Sequence, residues 1–309
     1  MYFDKKKFIN LHNINIDFDI KGVSQSSNIK NNTISFALNV DDSLINSLKA
    51  SKSVVIFLPL KTELPHECQK NNLLINCINP RYEYIKTTRL IFKRDPIETL
   101  DHHNYIHPTS KVSKTATIYP FTYIGANCEI GEDCIISTGV KILDNVVIGQ
   151  GTRIGPNTVI GAMGFGFERD NGKERQVIGF GGDPLKMPHF GGVIIGDNCD
   201  IGSLTTVCAG AIEPTILEDY VMVDDHVHIA HNCKIGRGAS LAACAEVSGS
   251  VEVGSETWIS PNTSIMQKIS IGPRSIIGIG AVVLKSSPPD SILIGNPAKP
   301  IRKNHKKDN

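Results

Sequence analysis

The chain has 309 residues, enough for two domains and a sizeable core, and it carries 32 Lys plus Arg against 31 Asp plus Glu. That balance leaves no global basic field for nucleic acid or an anionic membrane, so neither is expected as a partner. The start, Met1-Tyr2-Phe3-Asp4-Lys5-Lys6-Lys7, has no apolar signal core, and no later stretch approaches 18 uninterrupted apolar residues. A soluble, cytoplasmic protein without a membrane span is expected.

Residues 1–105 show no short period and read as a small α/β domain. Thr33 to Leu38, Ser53 to Leu58 and Leu73 to Ile78 have the β-branched, apolar character of strands. Asp41 can cap a helix carrying Leu44, Ile45 and Leu48, and Pro80 can open another that runs through Ile91. No Gly-rich phosphate loop appears, so neither a dinucleotide fold nor a P-loop is supported.

From Val112 the pattern changes. An aliphatic residue recurs at every sixth position through Ile118, Ile124, Ile130, Ile136, Ile142, Ile148, Ile154 and Ile160. The period returns at Ile195, Ile201 and Val207, shifts phase once, and then runs unbroken from Leu217 to Val283. Such self-similarity predicts a hexapeptide β-solenoid over 106–288. One hexad makes a short strand and a corner, and three hexads close one triangular coil, so about eight coils are implied. Gly follows the aliphatic residue at 125, 131, 149, 155 and several later positions, where a sharp corner suits a residue without Cβ. Cys128, Cys134, Cys199 and Cys233 sit two residues before an aliphatic position, in a slot that other hexads fill with Thr, Ala, Val or Ser. A packing role is therefore expected of them, with no Cys-x-x-Cys pair to hold a metal.

Two interruptions argue against a purely structural or ice-binding solenoid. Residues 163–192 form an excursion rich in Gly and aromatics, and long loops on rigid scaffolds are usually functional. A smaller insertion at Glu213-Pro214 resets the phase just before a His-rich segment holding His226, His228 and His231. His231 lies two residues past the inward Ile229, which puts its ring outside the prism at a corner. One coil further on comes Gly249, and successive coils are strands about 4.8 Å apart. An imidazole and a bare backbone N–H are thus stacked. From 289 to 309 the sequence reads as a C-terminal tail.

Three segments together resemble the UDP-3-O-(3-hydroxyacyl)glucosamine N-acyltransferases of lipid A synthesis. They are Ile34 to Asn39, the loop Gly164-Phe165-Gly166-Phe167 with Met187-Pro188-His189-Phe190-Gly191, and Ile229-Ala230-His231-Asn232. The resemblance implies a left-handed coil, although the usual preference of parallel crossovers would give a right-handed one. It also implies an N-terminal domain that holds uridine through Phe36 and Asn39. Within the solenoid it implies His231 as general base and the Gly249 N–H as oxyanion donor. Asp224, Asp225, Asn232 and Lys268 match or replace residues that contact the acceptor; Lys268 stands where a second histidine is usual, and Cys208-Ala209 where an Asp-Arg pair is usual.

The implied substrates are a nucleotide-linked amino sugar, UDP- before dTDP-, and an acyl thioester on coenzyme A or acyl carrier protein, with no bound cofactor and no metal. The ending Ile294-Gly295-Asn296-Pro297-Ala298-Lys299-Pro300 is similar to acetyl-CoA-dependent nucleotide-sugar acetyltransferases, which tips the donor toward acyl-CoA. One prism face exposes only one wall of the catalytic corner, so a homotrimer with sites at subunit boundaries is expected. A competing resemblance is to the γ-class carbonic anhydrases. His226 and His231 have the spacing of their paired zinc ligands, and His189 is the nearest candidate for a third.

Overall fold

The computed structural model describes residues 2–93, 103–169 and 184–303. The chain divides into two compact units, Met1–Thr99 and Leu100–Asn309.

In the first unit four parallel strands lie in the order Gly22–Val23, Thr33–Phe36, Val55–Pro59, Leu73–Cys77. Val55 to Leu58 are all fully buried, because alternate side chains of a parallel strand enter different cores. Ile56 and Leu58 pack with Leu44 and Leu48 on one face, and Val55 and Phe57 pack with Phe8 and Ile91 on the other. The two expected helices are present as Asp42–Ala50 and Pro80–Ile91. Asp41 accepts the Leu44 N–H at 2.8 Å, and Asn79 accepts the Tyr82 N–H at 3.0 Å, so each start is capped by a side-chain oxygen. A further helix, Lys5–His12, is capped by Asp4 and has a single buried residue, Phe8, which leaves too little apolar periodicity to read from sequence.

The second unit is a parallel β-solenoid. Its strands fall into three sheets of nine, eight and ten, the tenth strand of the last being the antiparallel Lys299–Lys303. Each aliphatic position stacks on its counterpart one coil away, Ile124 on Ile142, Ile130 on Ile148, Ile136 on Ile154. The ladders from Ile124 to Val283 are buried, each side chain contributing about 1.5–3 kcal/mol through removal from water. The coil begins one hexad before Val112, with Tyr105–Ile106 paired to Tyr123–Ile124. It also continues into the segment expected as a tail, since Ser291–Ile294 pairs in parallel with Ile276–Ile277.

The slot two residues before each aliphatic position selects for a donor as well as for small size. Cys128 and Cys134 Sγ donate to the carbonyls of Leu143 and Gly149, both at 3.0 Å. Thr152 and Thr205 hydroxyls donate to Gly196 and Asp224 carbonyls, both at 2.9 Å. Cys or Thr here satisfies a corner carbonyl that would otherwise be buried without a partner. Burial pushes the Cys233 thiol up to about 12, so it stays protonated and inert. The glycines after the aliphatic residue, Gly161 with its φ of 88° excepted, answer to close approach rather than to a left-handed backbone. A Cβ on Gly131 would lie 2.7 Å from the Gln150 nitrogen of the next coil, and one on Gly155 2.7 Å from the Ser203 nitrogen. The left-handed corner positions are taken instead by residues such as Asn127, Asp133, Asn157 and Asn232.

Both interruptions leave the coil in register. Across the long excursion Ile148 pairs with Ile195, so partners stand 47 residues apart instead of 18. Within it Phe167–Arg169 and Pro184–Lys186 form an antiparallel hairpin. Across the second insertion Ile195 pairs with Leu217, 22 residues on. No helix among the described residues is long and apolar enough to cross a membrane.

Candidate active site

The strand His228–Ile229 delivers His231 to a corner between Thr206–Cys208 on one side and Glu246–Val247 on the other. Ile229 and Ala230 are buried while His231 is half-buried, as its place beyond the inward position requires. The next residue, Asn232, has φ 60° and turns the chain toward the buried Cys233.

Asn232 determines which way the imidazole presents its nitrogens. Its Oδ1 accepts the Ala211 N–H at 3.1 Å, and its Nδ2 donates to the Glu213 carbonyl at 3.1 Å. The amide therefore faces His231 Nδ1, 3.0 Å away, with an acceptor oxygen, and the ring must carry its proton on Nδ1. Nε2 is left with its lone pair free. The two backbone partners of Asn232 belong to the insertion that resets the phase. That bulge also ties down the end of the excursion, with Phe190 N–H on the Ala211 carbonyl and Gly191 N–H on the Gly210 carbonyl, each at 2.9 Å.

Gly249 lies against the free nitrogen. A Cβ there would stand 2.7 Å from both Nε2 and Cε1 of His231, so only glycine fits beside the ring. Ser250 N–H is committed to the His231 carbonyl at 2.9 Å and Ser248 N–H to the Ile265 carbonyl at 3.2 Å. Between them the Gly249 N–H has no hydrogen-bond partner among the described residues.

The opposite side of the ring is closed by the excursion. A Cβ on the buried Gly164 would meet His189 Nε2 at 2.7 Å and His231 Cδ2 at 2.9 Å, and the two imidazoles pack edge to face with centroids 5.3 Å apart. His189 Nδ1–H donates to the Met187 carbonyl at 3.0 Å. Burial, foremost, holds its pKa below the ordinary histidine value against that bond, with His231 and Lys186 adding to the depression. Sequence reasoning had His189 only within a motif and as a metal candidate, because nothing in a linear string shows that a loop residue folds back onto a corner 42 positions on.

The other predicted residues of the second unit stand apart from this cluster. Asp224 and Asp225 occupy the preceding corner, at the far end of the strand His228–Ile229. Asp224 Oδ2 accepts the Ala243 N–H at 3.2 Å and Asp225 Oδ1 the Ser203 N–H at 2.5 Å, so both carboxylates tie coils together. Lys268 is exposed two coils beyond Asn232 at the same kind of corner, its N–H on the Gly249 carbonyl at 3.0 Å. Phe36 and Asn39 belong to the first unit. They line a groove of about 620 Å³ at the carboxyl end of the strand Thr33–Phe36, the end at which open parallel sheets take ligands. Tyr84 is the residue missed there; its ring packs against Phe36 at 5.0 Å and gives the groove a second aromatic wall.

The pattern described as bacterial transferase hexapeptide (six repeats) matches residues 105–143, 129–162 and 214–249. The chain is similar to the UDP-3-O-acylglucosamine N-acyltransferase of Lawsonia intracellularis, with 33% identity over 226 residues, covering 71% of this chain and 64% of that protein. The protein of the same name from Polynucleobacter asymbioticus is 31% identical over 37% of this chain and 30% of its own length. The match thus spans less than two thirds of either relative. Among solved structures, the UDP-N-acetylglucosamine acyltransferase of Francisella novicida superposes with a TM-score of 0.58 at 29% identity, covering 65% of this chain and 69% of that one. The corresponding enzyme of Bacteroides fragilis gives 0.56 at 28%, covering 67% and 75%.

The second unit is therefore a left-handed parallel β-helix, and the chain is similar to the hexapeptide-repeat transferases, whose pattern those segments match. Within that class its relatives lie among the acyltransferases that are named for UDP-linked glucosamine. The zinc alternative finds no support. His226 is exposed on the corner before the strand, and among the described residues no three His, Cys, Asp or Glu side chains are grouped to hold a metal ion.

Proposed function

We propose that this protein moves an acyl group from a phosphopantetheine thioester to the amino group of a nucleotide-linked amino sugar, in lipid A or surface-glycan synthesis. The observation that carries the reading is the pairing of a free imidazole Nε2 with an uncommitted N–H at the adjacent glycine. His231 Nε2 takes a proton from the amine as it attacks the thioester carbonyl. The Gly249 N–H receives the negative charge on the carbonyl oxygen, a device worth about 10²–10³ in rate. Asn232 holds the ring in the tautomer that leaves Nε2 basic, and the imidazolium formed returns its proton to the departing thiolate.

Phe36, with Tyr84, gives the groove a stacking surface for a base, and Asn39 an amide for its edge. UDP-linked acceptors are the expected occupants. Lys268 offers an exposed ammonium for an anionic part of either substrate. Asp224 and Asp225 reach the sugar only with the oxygen edges that their backbone bonds leave open. Coenzyme A and acyl carrier protein present the same phosphopantetheine arm, and either is an expected donor.

The test is a screen of UDP- and dTDP-amino sugars, with UDP-N-acetylglucosamine as hydroxyl acceptor, against acyl-CoA and acyl carrier protein donors, read by product mass. Amide product from a UDP-amino sugar supports the reading, whereas ester product alone refutes it. We further infer a closed homotrimer, the symmetry that completes three corner sites at once. Light scattering at micromolar concentration then gives three times the 33.7 kDa chain mass, and a monomeric mass overturns it.

A further inference from the structure

The two strands that lead into the catalytic corner carry polar side chains on their outer face. His228 precedes His231 by three residues, Glu246 precedes Gly249 by three, and the pair stand opposite each other one coil apart. The column continues with Thr206 on the coil before and Ser264 on the coil after. Another sheet of the same solenoid carries Met222, Ser240, Trp258 and Ile276 in its outer column, so a polar ladder is not imposed by the fold. Thr206, His228 and Glu246 are half-buried, and the side chains of Thr206, His228 and Ser264 have no hydrogen-bond partner among the described residues.

Glu246 is the anionic member of this column. Its one side-chain partner among the described residues is the Ser248 hydroxyl, which donates to the carboxylate with Oγ 3.2 and 3.3 Å from the two oxygens. That bond draws the carboxylate along the strand toward Gly249, the next residue after Ser248. A carboxylate has about four acceptor positions, and one hydroxyl hydrogen fills one of them. No cationic side chain among the described residues forms an ion pair with it. A half-buried carboxylate in this state calls for donors from outside the chain, and a sugar supplies them as hydroxyls. Consecutive Cα atoms are about 3.8 Å apart, so a carboxylate beside Ser248 lies roughly the width of one sugar ring from the corner where His231 Nε2 and the Gly249 N–H meet.

Resting on the amine-acylation reading above, we propose that Glu246 is a specificity-determining residue for the acceptor: its carboxylate, oriented by Ser248, accepts a hydrogen bond from a hydroxyl of the amino sugar whose amine lies at His231. For an amine on carbon 2, the hydroxyls across the ring are those on carbons 4 and 6. His228, on the same face one coil away, offers its imidazole to the same sugar. A contact of this kind is made alike before and during acyl transfer, so it sets KM for the acceptor and leaves kcat to the corner.

The experiment measures kcat and KM of wild type, Glu246→Ala and Glu246→Gln with UDP-linked glucosamine bearing a 3-O-acyl group, and with its 4-deoxy and 6-deoxy analogues. Thermal melting checks folding. Glu246 points away from the buried ladder that its neighbour Val247 joins, so the melting temperature stays near wild type. In wild type one of the two analogues loses about 10–100-fold in kcat/KM, as expected for a lost hydrogen bond to a charged group. Glu246→Ala loses as much on the parent acceptor, through KM with kcat little changed, and no longer separates parent from analogue. Glu246→Gln, which keeps an acceptor oxygen without the charge, falls between. Wild-type kinetics in Glu246→Ala overturn the proposal. So does a kcat lowered by one factor on all three acceptors with the analogue's penalty intact, the signature of a residue that only supports Gly249 through Ser248. If wild type makes no amide from the parent acceptor, the amine reading has failed and this proposal with it; amide formation without the Glu246 coupling leaves that reading standing.

Discussion

Replacing Gly249 with Ala puts a methyl group where the His231 ring already stands. The added carbon falls 2.7 Å from Cε1 and Nε2 and 3.3 Å from Cδ2, against an optimum of about 3.5–4.0 Å for such contacts, so something must yield by about 1 Å. The backbone at 249 is held on both sides, by Ser250 N–H on the His231 carbonyl at 2.9 Å and by Lys268 N–H on the Gly249 carbonyl at 3.0 Å. The ring is the softer partner, yet its Nδ1 is tied to Asn232 and its other edge abuts Gly164. A base displaced by about 1 Å costs on the order of 10² in rate. The expected outcome is a kcat about 100-fold lower in a thiol-release assay, KM little changed, and a loss of stability near 1 kcal/mol, because the contact lies outside the aliphatic ladders. Gly238→Ala gives the opposite signature. Its Cβ meets nothing within 4 Å but φ is 67°, so stability falls while turnover survives. Wild-type kcat in Gly249→Ala, or a loss matched by Gly238→Ala, refutes the reasoning.

Asn232→Asp keeps an oxygen toward His231 Nδ1 but adds a negative charge and removes the donor to the Glu213 carbonyl. A carboxylate favours imidazolium, so the base pKa rises and the acid limb of the pH profile for kcat/KM moves to higher pH; an unmoved limb shows that Asn232 does not orient the ring. Phe36→Ala should raise KM for the sugar nucleotide by the worth of one stacking contact, about 1–3 kcal/mol, with kcat less affected. Unchanged KM in a folded variant returns Phe36 to the core of the first unit.

The solenoid was readable because its physics is periodic. One aliphatic residue per hexad reports a ladder directly, and Ile124, Ile142 and Ile160 stack as their spacing requires. The ends of the coil were less legible. Tyr105–Ile106 and Ser291–Ile294 pair into the sheets from hexads whose neighbours break the pattern. Reading glycine as a corner residue named the right positions for an incomplete reason: at Gly131 and Gly155 the next coil's backbone forbids a Cβ, and that depends on a partner one turn away. The same holds for the site. His231 and Gly249 are one coil apart and could be stacked on paper. His189, Gly164 and the Ala211 and Glu213 anchors of Asn232 arrive through an excursion and a bulge, whose paths no period encodes. Asp224 and Asp225 were visible as acidic corner residues, but their backbone partners Ala243 and Ser203 lie in neighbouring coils.

The account turns on His231 as the base. Its most direct test is the turnover of His231→Ala on a UDP-linked amino sugar, beside His226→Ala as a variant of an exposed imidazole one corner away. The account predicts a kcat lower by about 10²–10⁴ for His231→Ala, with KM and melting temperature close to wild type, and near-normal turnover for His226→Ala. Wild-type turnover in His231→Ala, or equal inactivation by His226→Ala, contradicts it.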